Sequence, residues 1–218
     1  VKPILTPRYT PTCTDACMEG LQVLSEKYQV PVQSHLSEGL DEIEWVKQLK
    51  PGLSCYGEAY DMYDLLGSRQ PAVMAHVVHP NEAEYELIKH RNVLVAHCPQ
   101  SNTNAANGVA PILQMVHDGI RVGLGTDMAG GYNLNLLRTI TDAIQASKLR
   151  WCFTERNGNP FAKKNFLTVA NAFYLATKGG GSFFGKVGSF EPDYEFDAVV
   201  LDDAALADFV ERPVQDRF

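Results

Sequence analysis

The stretch AVMAHVVHPNEAEYELIKHRNVLVAHCPQSN, residues 72–102, reads as two strands with a helix between them. Ala72–Val77 and Val93–Cys98 are short apolar runs rich in Val and Leu, the composition of buried strands. Asn81, followed by Glu82 and Glu84, marks a helix start. The asparagine side chain can cap free backbone amides, and the acids favour the positive end of the helix. Tyr85 and Ile88 then share one side. A strand, a helix and a second strand in this order form a crossover unit with parallel strands.

The same pattern extends in both directions. Pro31–Leu36 (PVQSHL) and Ile120–Asp127 (IRVGLGTD) are further strand candidates, and Ile4–Tyr9 reads as the end of another. Between them, Cys17, Leu21, Leu24 and Tyr28 recur on one face of a helix. Val109–Asp118 predicts a helix closed by Gly119. Leu137, Ile140 and Ile144 mark another, and Phe166–Thr177 one more, closed by Gly179, Gly180 and Gly181. The fold class is therefore α/β.

Two architectures fit strand–helix alternation, an open doubly wound sheet and a barrel. His35, His76, His97 and Asp127 each sit at or near the C-terminal end of a different strand. A barrel brings such ends to one mouth, whereas an open sheet spreads them along a line. No glycine-rich phosphate loop or GxGxxG follows a strand. The reading is an incomplete (β/α)8 TIM barrel over residues 1–180, holding about strands 4–8, with the missing strands expected before Val1. From residue 181 the pattern turns to GKVGSFEPDYEFDAVVLD. This predicts the start of a small β-sandwich element over 181–218, with Phe196–Leu201 as a strand.

Composition narrows the function. Hydrophobic residues make up 45% and charged residues 21% of the 218, and the net charge is -7 from 19 basic and 26 acidic residues. No basic stripe suits nucleic acid, and no apolar run reaches the roughly 20 residues of a membrane helix. VKPILTPRY lacks the charged-then-apolar layout of a secretory signal. Five cysteines, an odd number, point to reduced thiols and a cytoplasmic location. Cys13 and Cys17 are spaced like half of a metal site, but no second pair follows, which favours helix packing.

The chemistry-bearing residues are modest singly. His35 and Glu38 form His-x-x-Glu at a strand end. There an imidazole can meet a metal and a nearby carboxylate can move a proton; ordinary loop contacts are the plainer alternative. His76 closes an apolar strand and could equally be a hydrogen-bonded core residue. His79 reads as a loop residue. His97 opens His-Cys-Pro-x-Ser-Asn, where Pro99 imposes an extended or turning backbone and Ser101 and Asn102 can tie down the loop; it is structural or catalytic. Asp127 ends GLGTD, where Gly123 and Gly125 permit close backbone approach. A carboxylate there needs a cation or hydrogen bonds; a helix N-cap is the alternative. Together these signals gain weight, because they fall in order on four successive strand ends.

That order resembles a known family. SHLSEGLDEIEWV (34–46), AHVVHPNEAEYELI (75–88), AHCPQSNTNAANG (96–108) and GLGTDMAGGYNLNLL (123–137) look like the cytosine/guanine deaminase branch of the amidohydrolase superfamily. TPRYTPTCTDACMEGL (6–21) and GTDMAGGYN resemble its guanine deaminases. The resemblance implies a barrel holding zinc, or in some members iron, with His35 and Asp127 as ligands. It implies Glu38 as general acid/base, His76 in contact with the reacting water or purine, and Arg8 and Tyr9 at the purine edge and face. Glu38 would protonate a ring nitrogen, a metal-activated water would add to the carbon bearing the amino group, and Asp127 would take the water's proton. The implied partner is a small purine, and members of the family are often homodimers. The family's two other ligands form His-x-His, a motif absent from residues 1–218. Residues 1–218 are accordingly expected to be part of a longer, catalytically complete polypeptide. Other amidohydrolases, acting on a triazine, pterin or modified adenosine, and a non-catalytic half-barrel interaction module are the competing readings.

Overall fold

The computed structural model describes residues 2–159, 161–202 and 212–213. Four strands, β1 (Val32–Leu36), β2 (Ala72–His76), β3 (Leu94–His97) and β4 (Arg121–Leu124), form one parallel sheet in the order β1-β2-β3-β4. Helices connect them. α1 (Asp15–Tyr28) precedes β1, and α2 (Leu40–Leu49) and α3 (Glu58–Asp61) lead to β2. α4 (Glu82–His90) leads to β3, and α5 (Pro99–Asn104) and α6 (Ile112–His117) lead to β4. α7 (Leu136–Phe153) and α8 (Val169–Tyr174) follow. Neighbouring strands adjacent in both sequence and space, each joined through helix, form part of a (β/α)8 barrel.

The helices start where the sequence supplies acceptors. Thr14 caps α1 by accepting from Cys17 N, Asn81 caps α4 by accepting from Glu84 N, and Asn135 caps α7 by accepting from Leu137 N. α6 is shorter than its periodicity suggests: it begins only after Pro111, and Gly119 ends it at φ +80°, a conformation that favours glycine.

The sheet's two faces differ. Leu36, Met74, Val95 and Val122 are buried with Met18, Val46, Ile88 and Met115 from the helices, forming one core. The other face, carrying His35, Ala75 and Ala96, is only partly buried; in a barrel this face turns inward. β4 approaches the turn after α8 closely: a Cβ on Gly123 would lie 2.8 Å from Gly180 Cα.

Two further expectations differ from what is observed. Ile4–Tyr9 is not a full strand. Only Leu5 bridges Val32, with Leu5 N donating to Pro31 O and Gln33 N to Leu5 O, both at 2.9 Å. Pro3 and Pro7 have no N–H to continue the ladder. Phe196–Leu201 lies in no strand, because no described segment pairs with it, and Phe196 and Val200 are exposed. Much of the rest of the expected β element, residues 203–211 and 214–218, lies outside the described residues. Among the described residues no helix is long and apolar enough to cross a membrane.

The contact between β4 and Gly180 gives a direct test. Gly123→Ala should lower stability by about 1–3 kcal/mol, because the new methyl meets backbone rather than a movable side chain. Urea denaturation followed by circular dichroism measures it, and an unchanged midpoint would show that the two segments do not pack as described.

Candidate active site at the strand ends

β1, β2 and β4 deliver three metal-capable side chains to one place. One ligand atom each of His35, His76 and Asp127 lies within 4.8 Å of the others. The rings of His35 and His76 stack with centroids 5.2 Å apart and planes 17° apart. Glu38, in the loop after β1, completes the group: its Oε2 is 3.6 Å from His76 Nε2, and Asp127 Oδ2 is 4.0 Å from the same nitrogen.

Strand alternation alone does not produce this meeting. Leu36 pairs with His76, so His35 and His76 belong to opposite faces by register. The backbone changes that. His76 and Val77 have φ of +74° and +46°, and Asp127 has +45°, all in the left-handed region that non-glycine residues seldom enter. Ser37, between His35 and Glu38, has φ +47°. Each such residue costs about 1–3 kcal/mol, a strain that accumulates at functional sites.

Surrounding groups fix which atoms face inward. His35 Nδ1 lies 2.5 Å from Arg8 O, a carbonyl that can only accept, so that nitrogen carries the hydrogen. His76 Nδ1 is 2.8 Å from Asn102 Oδ1, which likewise assigns it the hydrogen. Both rings therefore keep a lone pair on Nε2. His76 Nε2 is buried without a hydrogen-bond partner. Asn107 Nδ2 donates to Glu38 Oε1 at 2.9 Å, leaving Oε2 toward His76. Ser37 Oγ donates to Glu84 Oε2 at 2.6 Å and Gly57 N to Glu84 Oε1 at 2.8 Å, anchoring the Glu38 loop from below. Burial raises the Glu84 carboxyl to about 7 despite these two donors.

The centre of the site is thus a set of acceptors, imidazole lone pairs and two carboxylates, with no donor among the described residues placed between them. Such a set needs a cation or protons at its centre. Two imidazoles and a carboxylate suit zinc and also iron. His35, His76 and Asp127 fit a metal on that ground, and His76 joins the expected pair.

The other sequence candidates separate. His97 has the same parity as His76 but ordinary strand backbone, so it remains in the helix layer. There it lines a cavity of about 180 Å³ with Ala110, Ser147, Arg150 and Trp151. Burial, and secondarily His76, holds its imidazole down to about 3. Cys98, on the site's side, is pushed up to about 12 by burial and then by Asp127 and Glu38, which rules against a thiolate nucleophile. Asp127 does not cap a helix; Asn135 does. His79 is the expected loop residue, with Nε2 donating to Asn107 O. Arg8 is exposed, its guanidinium 5.1 Å from the Tyr9 ring, and Tyr9 meets Trp45 edge-on at 6.5 Å.

The match to known proteins follows this geometry. A model of the amidohydrolase family matches residues 1–216. This chain belongs to the amidohydrolase family. A guanine deaminase of Dictyostelium discoideum is 40% identical over 205 residues, covering 93% of this chain and 44% of the relative. A solved guanine deaminase from C. acetobutylicum, with bound guanine in its active site, shares 48% identity at a TM-score of 0.87, over 95% of this chain and 48% of that one. A Xanthomonas campestris adenosine deaminase with bound zinc shares 25% identity at a TM-score of 0.70, over 85% and 40%. The amidohydrolase chain described here therefore spans less than half the length of these relatives.

Sequence reading missed Asn102 and Asn107 as partners of the site. Asn102 was expected to bond backbone, and Ser101 does so, donating to Cys98 O. The signal available was the cluster of asparagines directly after a strand-end histidine.

His97 predicts a pH dependence. Its folded pKa lies below the unfolded value of about 6.5, so its contribution is present above pH 6.5 and is lost as pH falls toward 3. By pH 5 the loss should reach about 2 kcal/mol. His97→Gln should flatten stability between pH 6.5 and 4 in denaturant titrations; an unchanged slope would rule out a buried neutral imidazole.

Proposed function

We propose that the complete polypeptide hydrolyses guanine to xanthine and ammonia. The observation that carries this reading is the convergence of His35, Glu38, His76 and Asp127 at the strand ends, around a buried His76 Nε2 that has no hydrogen-bond partner among the described residues. The guanine deaminase relatives, one of them solved with guanine in its active site, support the choice of substrate.

In this reading His35, His76 and Asp127 hold the metal, zinc by preference and iron as the alternative. The remaining ligands lie in the portion of the relatives that residues 1–218 do not cover. When bound, the metal supplies a water acidified toward neutral pH. Glu38, with Oε2 free, takes one proton from that water to a purine ring nitrogen, and later relays to the departing amine the water's second proton, received from Asp127. Asp127 accepts the proton that the water gives up as it adds to the carbon bearing the amino group. With Nδ1 donating to Asn102, His76 offers only Nε2 inward, and that nitrogen serves the metal. Arg8 hydrogen-bonds the purine edge and Tyr9 offers a ring face for stacking. The substrate is a small neutral molecule, so the chain's net negative charge neither attracts nor repels it.

The nearest rival is another amidohydrolase activity, on a triazine, pterin or modified adenosine. Arg8 separates it, because its role is tied to the purine edge. In the complete protein Arg8→Ala should reduce kcat/KM for guanine about 10- to 100-fold, the worth of one or two hydrogen bonds to a charged group. Full guanine turnover in that variant would reject the substrate assignment.

Glu38→Gln is the test of mechanism. Metal content, measured by elemental analysis, should be unchanged, while guanine-to-xanthine conversion followed by absorbance falls at least about 100-fold. A near-normal rate would remove Glu38 as proton carrier. Metal-free, inactive wild-type protein would instead favour a non-catalytic half-barrel.

A further inference from the structure

We infer that Asn107 is a positioning residue for the acid/base carboxylate, setting which oxygen of Glu38 is offered to the substrate. The inference rests on the acid/base reading of Glu38.

Glu38 follows Ser37, whose side chain is fixed on Glu84, but a carboxylate has two equivalent oxygens and that anchor does not choose between them. Asn107 removes that equivalence. Its Nδ2 donates to Oε1, so Oε1 is spent on a fixed bond and Oε2 alone faces His76 Nε2. The donor comes from 69 residues away in sequence, so the bond is tertiary rather than a loop's local satisfaction.

Asn107 is itself held. Its N–H donates to Asn102 O at 2.9 Å, closing a turn through Ala106 at φ +57°. Its carbonyl accepts from His79 Nε2. Gly39 leaves room for the Asn107 amide Oδ1, which a Cβ there would crowd at 3.2 Å. With its backbone N–H and carbonyl both engaged, Asn107 is placed against Glu38 before substrate arrives. The same loop carries Asn102, which holds His76. One segment, residues 102–107, therefore orients both the imidazole and the carboxylate, and the 3.6 Å separation between them follows from its shape.

Asn107 touches neither the reacting atoms nor the proposed metal ligands. Its loss should therefore lower kcat while sparing substrate binding and metal content. Asn107→Asp keeps the shape but replaces the donor with an acceptor against Glu38, and Asn107→Ala removes the group. In the complete, metal-loaded protein we expect Asn107→Asp to reduce kcat for guanine about 10- to 100-fold, with KM within about threefold and metal content unchanged. Asn107→Ala should fall between it and wild type, because water can replace part of the donor.

A crystal structure of metal-loaded Asn107→Ala supplies a readout independent of turnover. The Glu38 carboxylate should rotate so that Oε2 leaves His76. An unmoved carboxylate would overturn the inference, as would wild-type kcat in Asn107→Asp or a loss confined to KM or to metal. Guanine turnover absent from wild type, with Glu38 still rotating in Asn107→Ala, would instead count against the proposed reaction while leaving the positioning role intact.

Discussion

The bond between His76 and Asn102 is the constraint on which the site depends. His76 is sealed from solvent at the end of β2, and one ring nitrogen donates to the Asn102 amide oxygen. That assignment leaves the other nitrogen with a lone pair and no partner, facing two carboxylate oxygens. A buried imidazole in this state is stable only if something electropositive occupies the space it faces. His35 repeats the arrangement, with the Arg8 carbonyl taking the place of Asn102. Two independent elements thus turn two imidazoles the same way, which is the usual device for presenting a ring nitrogen to a metal.

The electrostatics of the surroundings agree. Glu38 and Asp127 both approach His76, and two carboxylates in a partly enclosed space repel unless charge of the opposite sign intervenes. The same negative charges, after burial, help to hold the neighbouring Cys98 in its thiol form. A sulfur this close to the site is therefore packing, resting against Gly125, where a Cβ would approach it to 2.9 Å. The side chains that meet at the strand ends therefore offer oxygen and nitrogen, not sulfur.

Much of this was legible from residues alone. Alternating apolar runs and helix starts such as Asn81-Glu82 gave parallel strands, because crossover helices leave both signatures in the chain. Polar residues at successive strand tips gave the barrel, because only closure brings them together. What residue types could not show was the backbone. His76 and His97 both close apolar strands, and both have the parity that faces the helices. One becomes part of the site because its φ is +74°, and the other remains in the outer layer. Nothing in Ala-His distinguishes them, since left-handed residues are signalled in sequence by glycine or asparagine and neither is present at these positions. Ile4–Tyr9 keeps only the Leu5–Val32 bridge for the converse reason: its apolar residues suit a strand, but Pro7 within it and Pro3 before it lack the donors that a ladder needs. Asn107 was invisible because its partner lies far along the chain.

The strain at the strand tips has a consequence for how the site is supported. Left-handed residues persist only when contacts around them over-determine their conformation. At Ser37 those contacts are the Oγ bond to buried Glu84 and the Val78 and His79 amides, which donate to its carbonyl. Val78 and His79 follow the strained His76–Val77 pair, so the loops after β1 and β2 restrain each other directly. His79 then reaches Asn107, whose side chain returns to Glu38. The path from Glu38 through Ser37, His79 and Asn107 closes on itself without passing through a solvent-exposed partner such as Arg8. Orientation of the Glu38 carboxylate and the buried His76 imidazole is thus a property of residues 36–107 packed together. The side chains of Arg8 and Tyr9 stand outside that circuit, the guanidinium exposed and resting 5.1 Å from the Tyr9 ring, so they can vary without disturbing the bonds that hold Glu38 and His76.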